Sequence, residues 1–80
     1  MIYTIAVMTE CCTENPLTLE IGVQGNKYTV SLGRNGEWTR NTFNSMADAY
    51  KVFEKLSSWL VMGLYPEAAK RQYLVTGTME

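Results

Sequence analysis

Two tight-turn signals, Gly25-Asn26 and Asn35-Gly36, interrupt a run of alternating apolar and polar residues, and they narrow the possible folds of this chain more than any other feature. Leu17, Leu19, Ile21 and Val23 alternate with Thr18, Glu20, Gly22 and Gln24. After the first turn, Tyr28, Val30 and Leu32 alternate with Lys27, Thr29 and Ser31. A period of two is the signature of a strand with one buried face. A two-residue loop with glycine first suits a type II′ hairpin, and Asn-Gly suits type I′, because each needs positive φ where glycine or asparagine tolerates it. The pattern predicts a three-stranded antiparallel meander over residues 17–24, 27–34 and 37–43.

Such short turns also predict the register. Gln24 should face Lys27, Val23 Tyr28, Ile21 Val30 and Leu19 Leu32; Arg34 should face Glu37, Gly33 Trp38, Ser31 Arg40 and Tyr28 Phe43. Directly opposed residues share a face. One face then carries Leu19, Ile21, Val23, Tyr28, Val30, Leu32 and Phe43 and must be the core. The other carries Thr18, Glu20, Gln24, Lys27, Thr29, Ser31, Trp38, Arg40 and Thr42. The scheme sets Thr39 and Asn41 on the core face, which an edge strand tolerates; a bulge there would instead bury Trp38.

Residues 2–9 read as a further strand, with Tyr3, Ile5 and Val7 on one face and Ile2, Ala6 and Met8 on the other. Apolar residues on both sides suggest a strand covered twice or placed centrally. Residues 10–16 form a polar loop closed by Pro16. Beyond Phe43 the period changes to that of a helix: Ala49, Val52, Phe53, Leu56, Trp59 and Leu60 recur at helical spacing, with Asn44 or Ser45 as N-cap and Gly63 as C′ residue. A helix over 46–62 would cover the core face, and within it Met46, Trp59 and Met62, with Tyr65 beyond, are expected in the core. Pro66 opens a short second helix at its first position. Tyr73-Leu74-Val75-Thr76 either extends that helix or forms a last strand; β-branching and Gly77 favour the strand. Residues 78–80 read as a frayed tail. The expected fold is therefore one α+β domain over residues 1–80, an antiparallel sheet with one main helix on one face.

The 80 residues hold seven Lys and Arg against eight Asp and Glu, a net charge of -1, and no histidine. Histidine catalysis, histidine metal ligation and a histidine pH switch are excluded for the isolated chain. The charges are scattered along the chain, so no basic field for non-specific nucleic-acid binding is visible. No apolar run is long enough to span a bilayer, and Met1-Ile2-Tyr3-Thr4 lacks the basic start of a secretory signal. A cytoplasmic location is expected, and two cysteines suit a reducing compartment.

Chemistry-bearing motifs are few. Cys11 and Cys12 lie between Glu10 and Glu14, which supply the opposite of the electropositive setting that activates a thiol. No further Cys or His completes a zinc site. Gly33-Arg34-Asn35-Gly36 lacks the spacing of a phosphate loop and reads as a hairpin turn. No carboxylate pair stands out, so no catalytic residue, metal or cofactor is expected, and the chain reads as a non-enzyme. Trp38 and Arg40 are the feature to single out. In the predicted register the indole lies over Gly33 on the uncovered face beside a guanidinium, and both residue types are enriched at interface hot spots. The competing reading is local: Trp38 shields a strand glycine while Arg40 pairs with Glu20, in a surface charge cluster with Lys27. The candidate partner-binding residues are Trp38, Arg40, Lys27, Glu20 and Gln24. A buried Trp38 would move attention to Tyr65, Lys70 and Arg71.

In size and in the order of strands, two tight hairpins, a helix beginning near Phe43-Asn44-Ser45 and a short C-terminal piece, the chain resembles small phage-encoded inhibitors, the compact α+β anti-CRISPR proteins among them. These share no sequence motif, so the likeness lies in organisation over most of the chain. It implies a non-enzymatic protein that docks on a host nuclease complex. Many such inhibitors are acidic DNA mimics; at -1 this chain is not, so docking would rest on shape. Two other classes compete. An RNA- or single-strand-binding domain would stack bases on sheet aromatics, which a near-neutral chain showing one tryptophan with Lys27 and Arg40 on that face disfavours. A structural subunit would self-associate through the same face or a strand edge, making a homodimer.

Overall fold

The computed structural model describes residues 2–10 and 13–77. Cys11, Cys12 and the tail expected over 78–80 lie outside the described residues. The elements are β1 (Tyr3–Thr9), β2 (Thr18–Gln24), β3 (Lys27–Arg34), β4 (Glu37–Phe43), α1 (Met46–Met62) and α2 (Glu67–Thr76). The strands form one antiparallel sheet in the order β1-β2-β3-β4. Both hairpins have the predicted register, from Gln24 opposite Lys27 to Leu19 opposite Leu32, and from Arg34 opposite Glu37 to Tyr28 opposite Phe43. Gly25 takes φ 64 in the first turn; Asn35 and Gly36 take φ 51 and 83 in the second, as type I′ requires.

β1 is not central. It is an edge strand paired with β2 alone, and Tyr3, Ile5 and Val7 are 70%, 50% and 55% exposed. A bulge between Thr4 and Ala6 is the reason its pattern misleads. The inserted residue breaks the alternation: Tyr3 pairs with Val23 on the helix side, whereas Val7 pairs with Glu20 on the opposite side. Only Ala6 and Met8 pack against the core.

Leu17, Leu19, Ile21, Val30 and Leu32 from the sheet bury against Ala49, Leu56 and Leu60 of α1 and Tyr73 and Leu74 of α2. Val23, Tyr28 and Phe43, at one end of the sheet, are only partly buried. Ser45 caps α1, its Oγ accepting the Asp48 N–H at 3.2 Å, and Gly63 ends the helix in the left-handed region with φ 68. Of the residues expected in the core, Met46 and Trp59 pack against it, but Met62 and Tyr65 are exposed: Leu56 and Leu60 take the buried face of the last turns of α1, and Tyr65 lies in the loop beyond Gly63.

The C-terminal strand expected over residues 73–76 is the last turn of α2. Ala68 to Gln72 are strong helix formers, and Lys70, Tyr73 and Leu74 recur at helical spacing and are buried. Strand alternation would have paired Tyr73 with Val75, yet Val75 is exposed. Pro66 sits at the N-cap rather than at the first helical position. A second helix thus joins α1 on the sheet, over β3 and β4.

This helix accounts for the polar residues on the core side of β4. Arg71 donates through Nη1 to the Leu32 carbonyl (3.2 Å) and Thr39 Oγ1 (2.8 Å), and through Nη2 to the Glu37 carbonyl (3.0 Å). Asn41 Nδ2 donates to the Leu74 carbonyl at 3.0 Å. Glu67 holds Arg71 at 2.9 Å and Arg34 at 3.0 Å, and Arg34 also meets Glu10 at 3.2 Å. Hydrogen bonds from charged groups stabilise by about 1.5–3 kcal/mol, so Arg71→Ala is expected to destabilise the chain by ~2 kcal/mol in urea unfolding, with Arg71→Lys recovering only part.

The Arg71 guanidinium, bonded to Glu67, holds the Glu67 carboxyl below its usual 4.5 despite partial burial; the Arg34 charge adds to this. A depressed folded-state pKa means that the stabilisation is present above pH 4.5 and is lost as the pH falls through the folded value. Unfolding measured from neutral pH downwards should show this loss, and Glu67→Gln should flatten it.

Candidate functional site

Both helices pack on one face of the sheet, which leaves the other without a helical cover. The register arranges that open face in rows across the four strands. Trp38, Gly33, Thr18 and Thr9 form one row; Arg40, Ser31, Glu20 and Val7 the next; Thr42, Thr29, Gly22 and Thr4 the third. Apart from Glu20 and, at the far end, Gln24 and Lys27, the two inner strands supply small side chains to this face. Thr29, Ser31, Gly22 and Gly33 are buried beneath the longer side chains around them. The result is a shallow trough rimmed by Trp38, Arg40 and Thr42 on β4 and by Val7 and Thr9 on β1.

Two glycines on this face serve close approach rather than unusual backbone angles. A Cβ at Gly33 would overlap the Trp38 indole, at 2.6 Å from Cε3 and 2.7 Å from Cγ. The ring therefore lies flat over the Gly33 backbone, with 44% of the residue still exposed. A Cβ at Gly22 would meet the Tyr3 carbonyl oxygen at 2.7 Å and Ile2 Cγ2 at 2.9 Å. Ile2 thus reaches Gly22 much as Trp38 reaches Gly33, a contact that residue order alone does not reveal because it depends on the bulge in β1.

The five predicted site residues all fall on this face, but the charge cluster expected among them does not form. Arg40 Nε donates to Ser31 Oγ at 2.8 Å. Glu20 Oε1 accepts a long 3.4 Å contact from Thr4 Oγ1. Lys27 Nζ donates to Asn44 Oδ1. Gln24 is exposed at the first turn, opposite Lys27. The reason is spacing. Arg40 on β4 and Glu20 on β2 are separated by β3, about 10 Å across two strand intervals, and Ser31 lies nearer. Among the described residues no ion pair joins Arg40 to Glu20. Trp38 and Arg40 stand side by side on the rim; Lys27 and Gln24 lie at the far end of the sheet and are not part of that pair.

The fallback residues are engaged elsewhere. Lys70 is buried, and Arg71 is committed to β3, β4 and Glu67. Tyr65, at φ 65, meets Trp59 edge to face at 5.0 Å, and Trp59 meets Tyr73 in the same way at 4.9 Å. Lys55 lies 5.9 Å from the Trp59 ring and 5.8 Å from that of Tyr73. This aromatic group joins the two helices. An open groove of about 610 Å³ separates the end of β1 from the end of α1, with Met8, Val61 and Met62 on its apolar wall and the Arg34–Glu10 pair on its polar side. Among the described residues, no three His, Cys, Asp or Glu side chains gather to hold a metal ion. No helix of the described residues is long and apolar enough to cross a membrane.

No family model matches the chain, and no curated protein or solved structure proves similar to it. The open face therefore has to be read from its own geometry.

Gly33→Ala should drive the indole off its seat. The expected result is a red shift in Trp38 fluorescence, read in a Trp59→Phe background, with a loss of about 1–3 kcal/mol in stability as is usual for overpacking. Gly22→Ala should destabilise at least as much, because its nearest neighbour is a backbone oxygen that cannot swing aside.

Proposed function

We propose that this chain is a non-enzymatic protein-binding module, a small inhibitor or regulator of the anti-CRISPR kind, which acts in the cytoplasm by docking its open sheet face on a nuclease complex. The observation that carries the reading is Trp38. It lies on the helix-free face, is held flat by Gly33, keeps nearly half its surface exposed and has Arg40 beside it. A large aromatic already fixed in one orientation loses little entropy on binding. Arg40 uses Nε on Ser31, which anchors the guanidinium on the rim and does not engage its terminal nitrogens. An aromatic and an arginine around small, buried residues match the composition of a hot spot. The local role of Trp38 as a cover for Gly33 coexists with this one, since the same seat presents the outer surface of the ring.

Charge supports docking by shape. The face carries Arg40 and Lys27 against Glu20, a surplus of a single positive charge, so neither a DNA mimic nor a polyanion-binding surface fits it. The size and element order that resemble compact anti-CRISPR proteins support the inhibitor reading.

The test pairs capture with inhibition. The wild-type chain and a Trp38→Ala/Arg40→Ala variant of verified fold are immobilised and exposed to host lysate. The expected result is a discrete nuclease complex retained by the wild type, whose cleavage activity falls when the chain is added. Truncating hot-spot residues costs about 2 kcal/mol or more, so the variant should bind at least ~30-fold more weakly and fail to inhibit. Equal binding by the variant would reject this surface. Recovery of nucleic acid alone, released by moderate salt, would replace the reading with single-strand binding.

A further inference from the structure

The sheet has two free edges, and they are built differently. β4 carries Glu37 and Arg40, and its Thr42 N–H is taken by Asn41 Oδ1 at 2.8 Å. β1 runs Tyr-Thr-Ile-Ala-Val-Met-Thr, with no charged residue and no proline. Proteins normally protect an edge strand with charge, proline, a bulge or a cover. Among the described residues, β1 has only its bulge at Ile5, and α1 lies over β2, β3 and β4. Tyr3, Ile5 and Val7 are exposed along this edge.

We propose that β1 pairs antiparallel with β1 of a second copy of this chain, about a two-fold axis perpendicular to the sheet, so that two four-stranded sheets become one of eight strands. Three observations select a second copy as the occupant. An uncharged strand opposes no like charges when it meets its own image, whereas the β4 edge would set Glu37 and Arg40 against whatever they met. With Val7 on the axis, Val7 meets its own copy on the open face and Ala6 meets Met8 on the helix side, so opposed residues share a face. A two-fold contact also closes: it consumes both β1 edges and leaves only the charged β4 edges outside, which stops further growth.

The axis keeps both open faces on the same side of the joined sheet. The two β4 strands, each with its Trp38 and Arg40, become its outer strands, seven strand spacings or about 34 Å apart. The inference does not rest on the docking reading, although a dimer would present that surface twice.

Sedimentation of the full chain from micromolar to millimolar concentration is the test. The wild type should reach twice the 9.1 kDa chain mass as concentration rises. Val7→Lys places two lysines opposite each other at the axis and should hold the protein at the chain mass; Ile5→Lys, also at an exposed position, should act in the same direction. Val61→Lys, on exposed α1, and Trp38→Ala/Arg40→Ala should leave the dimer intact, which separates this interface from the docking face. Hydrogen exchange should show β1 amides gaining protection as the dimer forms. A wild type that stays at the chain mass throughout would overturn the proposal. A dimer that persists in both β1 variants, or that only Val61→Lys disrupts, would do so too.

Discussion

A two-residue turn allows an antiparallel strand only one register, and this chain has two such turns in succession. The conformations at Gly25 and at Asn35-Gly36 decide which residues of β2, β3 and β4 share a face. A slip of one residue would turn Leu19, Ile21, Val30 and Leu32 to water and set Thr29, Ser31 and Arg40 against the helices. Everything above the sheet depends on that parity. It gives α1 an apolar floor, and on the other side it places Trp38 on Gly33 with Arg40 next to Ser31.

The cost of the fixed register appears at β4, where parity forces Thr39 and Asn41 towards the core. A second apolar helix would have left both unsatisfied. α2 instead brings Arg71 to Thr39 and to the Leu32 and Glu37 carbonyls, and offers the Leu74 carbonyl to Asn41. The seam between α2 and the hairpin is thus polar at its rim and apolar only at Tyr73 and Leu74. Glu67 bridges two guanidiniums there, and Glu10 supplies the second negative charge through Arg34. An apolar pattern cannot announce such a helix, which is why residues 73–76 read more readily as a strand.

The meander, its register and the limits of α1 were legible because each rests on local chemistry: turn residues, strict alternation and a Ser45 cap. The parts that misled depend on distant contacts. The bulge at Ile5 exists only relative to β2, so the apolar residues of β1 looked like a central strand. Arg71 lies 32 residues from the Thr39 that it serves. The expected Glu20–Arg40 pairing failed because a shared face is not a shared contact when a whole strand lies between. The seat of Trp38, by contrast, was legible, since it needs only the glycine directly opposite.

An open sheet face is a hazard for a small chain, because exposed apolar area invites non-specific association. Here the inner strands carry hydroxyls, glycines and Glu20, and two of the large apolar groups, Trp38 and Ile2, enter where Gly33 and Gly22 receive them. Each large group is half sheltered by the backbone beneath it. That arrangement keeps the face compatible with water while preserving a rigid raised aromatic on a low floor. Recognition by such a surface depends on relief and on a few directed hydrogen bonds, not on net charge. The edge of β1, uncharged and guarded by its bulge alone among the described residues, stands in contrast to this control. Three exposed apolar side chains on an uncharged strand make sense in water when that edge is itself a contact.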